Sequence, residues 1–277
     1  AATLESTPRP SVIWLSSQEC TGCSETLLRS FEPTVESLIL SEISLDYHNT
    51  LMAPSGAAAE ASREQAIAAG GHVLVVDGSI TLADQGTWSV IGGRATVDII
   101  QECAANAGLV IAVGNCAAFG GLPHASPNPT NAHGVDDLVV AGELVTDAPV
   151  VNVPGCPPVP EVLTGVIVHY LTLGLPELDH LHRPVAFYGQ TVHDTCARLA
   201  HFEAGNFAES FDDEGARQGF CLLHLGCKGP VTFNACSATR WNGGTSYPMH
   251  SGHGCLGCSE PDFWDRSGGF YAPLPRG

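Results

Sequence analysis

Basic residues are scarce in this chain. Eleven Lys and Arg stand against 29 Asp and Glu, for a formal net charge of −18. Binding a phosphate backbone needs clustered cations, so nucleic acid is excluded as a partner. Charged residues make up only 14% of the chain against 44% hydrophobic, a surface suited to concealment against another protein. No apolar run reaches the ~20 residues that span a bilayer. Ala1-Ala2-Thr3-Leu4 is not a basic segment leading into an apolar one, and the chain starts without Met. That start is compatible with a processed end.

Cysteine, by contrast, is abundant: 11 in 277 residues. Disulfide-rich secreted proteins are short and poor in core, whereas this chain is long and apolar. The count is odd, and a histidine falls in step with the cysteines, so metal ligation is the better reading. One group is Cys20-Thr-Gly-Cys23 with Cys116 and Cys156. The other, in the last third, is His193, Cys196, Cys221, Cys227, Cys236, Cys255 and Cys258. Soft thiolates at this density select iron–sulfur clusters or zinc.

The first two thirds alternate apolar runs with helical patterns, which predicts an α/β domain with a parallel sheet. Strands are expected at 11–17, 72–76, 109–113, 150–153 and 184–188, and helices at 24–40, 57–69 and 96–107. Cys20, Cys116 and Cys156 each follow a strand, at the sheet edge where open α/β folds bind ligands. Past residue 193 the periodicity fades into Gly, Cys, Asn and aromatics, so that metal must supply cohesion. The expected division is 1–190 and 191–277.

Four upstream cysteines suit a cubane cluster, although Cys116 and Cys156 could instead be buried core thiols. His193, Cys196, Cys221 and Cys227 make a second four-ligand set, equally a zinc combination when read alone. Cys236, Cys255 and Cys258 form a three-ligand remainder, suited to a cluster lacking one iron or to a site with an open position. Pro248, between them, offers no ligand atom.

Four motifs carry a family resemblance over essentially the whole chain. They are Glu19-Cys-Thr-Gly-Cys-Ser-Glu25, Gly114-Asn-Cys-Ala-Ala-Phe-Gly-Gly121, Val153-Pro-Gly-Cys-Pro-Pro158 and Gly252-His-Gly-Cys-Leu-Gly-Cys-Ser-Glu260. The chain resembles the small subunit of [NiFe] hydrogenases. The resemblance implies a flavodoxin-like N-terminal domain followed by an irregular cluster domain. It implies a proximal [4Fe–4S] cluster on Cys20, Cys23, Cys116 and Cys156, and a distal [4Fe–4S] cluster on His193, Cys196, Cys221 and Cys227. A medial [3Fe–4S] cluster would sit on Cys236, Cys255 and Cys258, with Pro248 where some relatives have a fourth cysteine.

The paired nickel-binding CxxC motifs of the large subunit are missing from this sequence. The resemblance therefore places the Ni–Fe centre and dihydrogen activation on an obligate partner, with this chain passing electrons to a cytochrome or other membrane acceptor. Oxygen-tolerant relatives carry two extra cysteines at the proximal cluster, whereas Gly22 and Gly121 stand here, implying an ordinary cubane. The 219–222 and 240–244 segments look closer to the membrane-bound relatives. Clusters must be loaded where thiols stay reduced, so the family exports the folded protein by a twin-arginine signal. The expectation is a periplasmic, membrane-associated protein with its signal removed.

Other residues have weaker claims. Glu19 and Asp77 lie at the proximal edge, where they could contact the cluster or its ligands; for Asp77, a turn residue is the commoner role. Cys103 reads as a core thiol. Lys228 reads equally as an offset to cluster charge or as a solvated side chain. Two further readings stay open: a zinc-stabilised structural protein, and a respiratory-complex relative with only the proximal cluster.

Overall fold

Runs such as Val73–Asp77 and Leu109–Val113 lack polar alternation because they are covered on both faces, which is the pattern of a parallel sheet between helices. The computed structural model describes residues 9–266 and 270–274. Five strands form the sheet: β1 (Ser11–Ser16), β2 (Ser44–His48), β3 (Val73–Asp77), β4 (Leu109–Val113) and β5 (Val150–Val153). Their spatial order is β2-β1-β3-β4-β5 and every pairing is parallel. This is the flavodoxin-type order, whose chain reversal lies between β1 and β3.

Helices cover both faces. Ile13, Leu15, Leu74, Val76, Val110 and Ala112 pack towards α2 (Ala57–Ala69) and α3 (Thr96–Ala104). Val12, Trp14, Val75, Ile111, Val151 and Val153 pack towards α1 (Gly22–Leu28) and α5 (Pro160–Leu173). A short helix, α4 (Gly114–Phe119), leaves directly from the end of β4.

Three local expectations are corrected. The helix expected over 24–40 ends at Leu28; Pro33 follows, and a separate turn begins at Val35. Proline removes an N–H and restricts the residue before it, so the helix cannot run through. The 184–188 run is not a strand but a single helical turn, Val185–Tyr188. Strand β2 was not anticipated, because its Ser44-Leu-Asp-Tyr-His48 sequence lacks a continuous apolar run.

Among the described residues beyond Gln190 the chain forms short turns and helices, such as Leu199–Glu203, Glu214–Arg217 and Cys236–Thr239. Their apolar cluster joins Val192, Leu222, Tyr247 and Met249 to Cys227 and Cys255. The thiols are thus part of the core they organise. Arg183 ties this region to the sheet: it is buried, pairs with Asp179 at 2.9 Å and Glu260 at 3.0 Å, and donates to Ser259 O. The amino-terminal Ala1-Ala2, on which the processed-end reading rests, lies outside the described residues.

Candidate metal centres

At the carboxyl edge of the sheet, β1 runs into the Cys20 loop and α1 carries Cys23 in its first turn. Cys116 sits in α4 just past β4, and Cys156 follows β5. Close approach requires glycine: Gly114 has φ +81°, and a Cβ there would collide with Cys23 Sγ. A Cβ on Gly121 would stand 2.7 Å from Cys116 Sγ, and one on Gly22 3.2 Å from Cys20 Sγ. Gly22 and Gly121 therefore each abut a cysteine sulfur.

Three of the upstream thiols are raised by their surroundings. Cys23 is pushed well above the usual thiol range by burial, then by Asp77, Cys116 and Cys156. Cys116 is pushed to about 12 by burial and then by Cys156, and Cys156 is raised by burial and then by Cys20. Close-set, mutually repelling thiolates at the sheet edge need a cationic core among them, and the irons of a cluster would supply one. The donor set fits the group.

Asp77 ends β3, between the Cys20 and Cys116 loops. It accepts from Ser24 Oγ at 3.1 Å, and burial raises it to about 6 against the opposing hydrogen bonds of Ser24 and Cys23. Glu19 is raised to about 7 by burial and then by Asp77. Asp77 is buried and contacts Ser24 and Cys23, both in α1.

Downstream, one cavity is lined by His193, Cys196, Cys221 and Cys227 together with Val192 and Met249. The His193 ring stands edge-on to Phe202 at 4.5 Å. A second cavity, of about 190 Å³, is lined by Cys236, Cys255 and Cys258, with Pro248, Trp241 and Cys156 on its walls. Burial pushes all three of its cysteines up to about 12. Pro248, on the same wall, offers no donor atom.

The three groups are contiguous. Cys258 senses Cys236 and Cys156, while Cys255 senses Cys258 and Cys227. The cysteines therefore run from the sheet edge through the larger cavity to the smaller one. Among the described residues, no three His, Cys, Asp or Glu side chains close on a point that would hold a single metal ion. Zinc draws its sulfurs to about 2.3 Å of one centre, whereas a cluster holds them apart.

Comparison with known proteins shows the family. Residues 188–271 match the family described as the C-terminal part of NiFe/NiFeSe hydrogenase small subunits, and residues 20–170 match NADH ubiquinone oxidoreductase, 20 Kd subunit. The hydrogenase-1 small chain of Citrobacter freundii is 50% identical over 97% of this chain and 71% of its own length. The chain belongs to the [NiFe] hydrogenase small subunits. The uptake hydrogenase small subunit of Azotobacter vinelandii is likewise 50% identical, over 99% of this chain and 75% of its own length. The [NiFeSe] hydrogenase structure from Desulfomicrobium baculatum superposes with a TM-score of 0.89 at 35% identity, covering 96% of this chain and all of that one.

This small subunit is the electron-transfer half of a hydrogenase. It carries iron–sulfur clusters, pairs with a large subunit that holds the Ni–Fe centre, and relays electrons between that centre and an external acceptor.

Two residues at the site, Asn115 and Tyr247, were not singled out in the sequence. Asn115 donates from Nδ2 to the carbonyls of Cys258 and Glu260, both at 2.9 Å. Tyr247 Oη contacts Cys196 Sγ at 3.7 Å. Lys228 is buried, not solvated; its amine donates to Ala272 O and its stem covers Gly257. The Gly-Asn-Cys motif was the signal for Asn115, and nothing in the sequence marked Tyr247. Cys103 is a core thiol beside Arg63.

Proposed function

We propose that this protein holds three clusters in line: proximal [4Fe–4S] on Cys20, Cys23, Cys116 and Cys156; medial [3Fe–4S] on Cys236, Cys255 and Cys258; distal [4Fe–4S] on His193, Cys196, Cys221 and Cys227. The observation that carries this is the placement of the donors: Cys156, Cys236, Cys255 and Cys258 line one cavity, His193, Cys196, Cys221 and Cys227 line the next, and the Cys255 N–H on Cys227 Sγ joins them. The clusters supply one-electron chemistry. The protein sets their spacing and tunes each potential through ligand type, burial and N–H donors to sulfur. Glu19 and Asp77 border the proximal set. The division at about residue 190 is supported by the change from layered sheet to short turns. Half-buried His193 marks the exit, towards a cytochrome or other membrane acceptor.

Iron and acid-labile sulfide analysis, with electron paramagnetic resonance (EPR) of the oxidised heterodimer, tests the assignment. Eleven irons and a [3Fe–4S] signal are expected; zinc without sulfide would end it. The match of residues 20–170 to a respiratory-complex protein keeps a second reading in view, with a single proximal cluster. The seven downstream donors argue against it. Periplasmic, membrane-associated residence after twin-arginine export is part of the proposal. Its test is the precursor reading frame, where an upstream sequence lacking the twin-arginine segment would remove it.

A further inference from the structure

The medial and distal ligand loops meet along one backbone seam. The Cys255 N–H donates to Cys227 Sγ at 3.2 Å, and the Lys228 N–H donates to Cys255 O at 2.8 Å. Two reciprocal bonds therefore hold a residue of one loop in register with two of the other.

A side chain at residue 254 would press on the seam and push it apart by a few tenths of an ångström. A Cβ on Gly254 would lie 3.0 Å from Cys227 Cα, 3.1 Å from its Cβ and 3.3 Å from its N. Those atoms belong to the backbone and stem of a ligand and cannot swing aside. Gly252 and Gly257, on either side, have φ values of +91° and +82°, which themselves favour glycine. Gly254 is outside that left-handed region. Proximity alone favours glycine here.

We propose that Gly254 is a positioning residue for electron transfer. Its missing side chain lets the Cys255 N–H reach the Cys227 sulfur, which closes a short through-bond route between the medial and distal clusters and sets the distal potential. The proposal rests on the ligand reading above. The route runs from Cys255 Sγ through Cβ, Cα and N–H, then across one hydrogen bond to Cys227 Sγ. One electron passes from one cluster to the next, and no atom is exchanged. An N–H dipole aimed at a cluster sulfur stabilises the added electron, so this bond raises the distal potential.

The test is Gly254→Ala in the complete heterodimer, with exposed Ser251→Ala as the control. Gly254→Ala is expected to keep its full iron and its [3Fe–4S] signal while the distal midpoint potential moves lower. Electron transfer from medial to distal cluster should also slow, with Ser251→Ala unchanged. A fully loaded Gly254→Ala enzyme with an unmoved distal potential would overturn the proposal.

If that variant fails to load, the unaltered enzyme decides. Pulsed EPR of its reduced distal cluster, after 15N-cysteine labelling, must show an exchangeable amide proton attached to a cysteine nitrogen. The other N–H groups facing distal sulfurs, from Arg198, Leu223 and Gly229, are not cysteine amides. Absence of that proton overturns the proposal. An unaltered enzyme without [3Fe–4S] or distal cluster signals would instead overturn the ligand reading.

Discussion

The side-chain amide of Asn115 donates to the backbone carbonyl of Cys258 at 2.9 Å, joining the loop of a proximal ligand to that of a medial one across 143 positions of sequence. The same amide donates to Glu260 O at 2.9 Å, and Asn115 N donates to Gly155 O at 2.8 Å. One residue thus fixes the Cys116, Cys156 and Cys258 loops together. Replacing it with Ala removes two buried hydrogen bonds, at about 1 kcal/mol each. Asn115→Ala is expected to lower heterodimer stability by roughly 2 kcal/mol in thermal unfolding. It should also weaken the magnetic coupling between proximal and medial clusters in EPR. An unchanged coupling would show that Asn115 does not set this spacing.

Pro248 stands on the medial cavity wall without a donor atom. Pro248→Cys is expected to convert the medial site to [4Fe–4S], abolish the oxidised [3Fe–4S] signal and lower the medial potential. Retention of that signal in a folded variant would separate position 248 from the missing iron.

Gly114 combines φ +81° with contact on Cys23 Sγ. A Cβ there costs about 1–2 kcal/mol of backbone strain in addition to the collision. Gly114→Ala is therefore expected to lose the proximal cluster's iron while the medial EPR signal persists. Equal loss from all sites would point to general unfolding instead.

His48 is buried against Trp14, with ring centroids 5.1 Å apart, and burial lowers its pKa from 6.5 to about 4. The unfolded chain binds this proton more readily than the folded one. The contribution of neutral His48 is fully present above pH 6.5 and is lost as pH falls through about 4. At ~1.4 kcal/mol per pKa unit, the loss amounts to about 3 kcal/mol. Denaturant unfolding from pH 7 to 4 should show it, and His48→Gln should flatten that part of the profile.

Trp88 and Val90 are 57% and 53% exposed beside Ser89, whose hydroxyl meets that of Ser17 at the end of β1. This apolar surface adjoins the proximal site and fits a large, permanent interface. Without the large subunit, the chain is expected to aggregate or lose clusters. A monodisperse monomer with full iron in size-exclusion chromatography would contradict this.

The sequence by itself determined three of the sheet strands and the cysteines that lie just past their ends. Runs such as Leu109–Val113 are apolar throughout because both faces are covered, and a thiol just past such a run lies at the ligand-binding edge. Periodicity could not separate a strand from a helical turn at 184–188, because a short apolar run fits both. It also missed β2, whose polar residues sit at the sheet's edge.

Only tertiary structure decided which loops touch. The bonds from Asn115 to Cys258 and from Cys255 to Cys227 span 143 and 28 positions, and three of their four interacting groups are backbone or ligand atoms. Such groups are present at every residue or already assigned to metal, so they leave no mark in composition or spacing. Lys228 became a buried residue for the same reason: the segment that covers it, at Ala272, returns from 44 positions away.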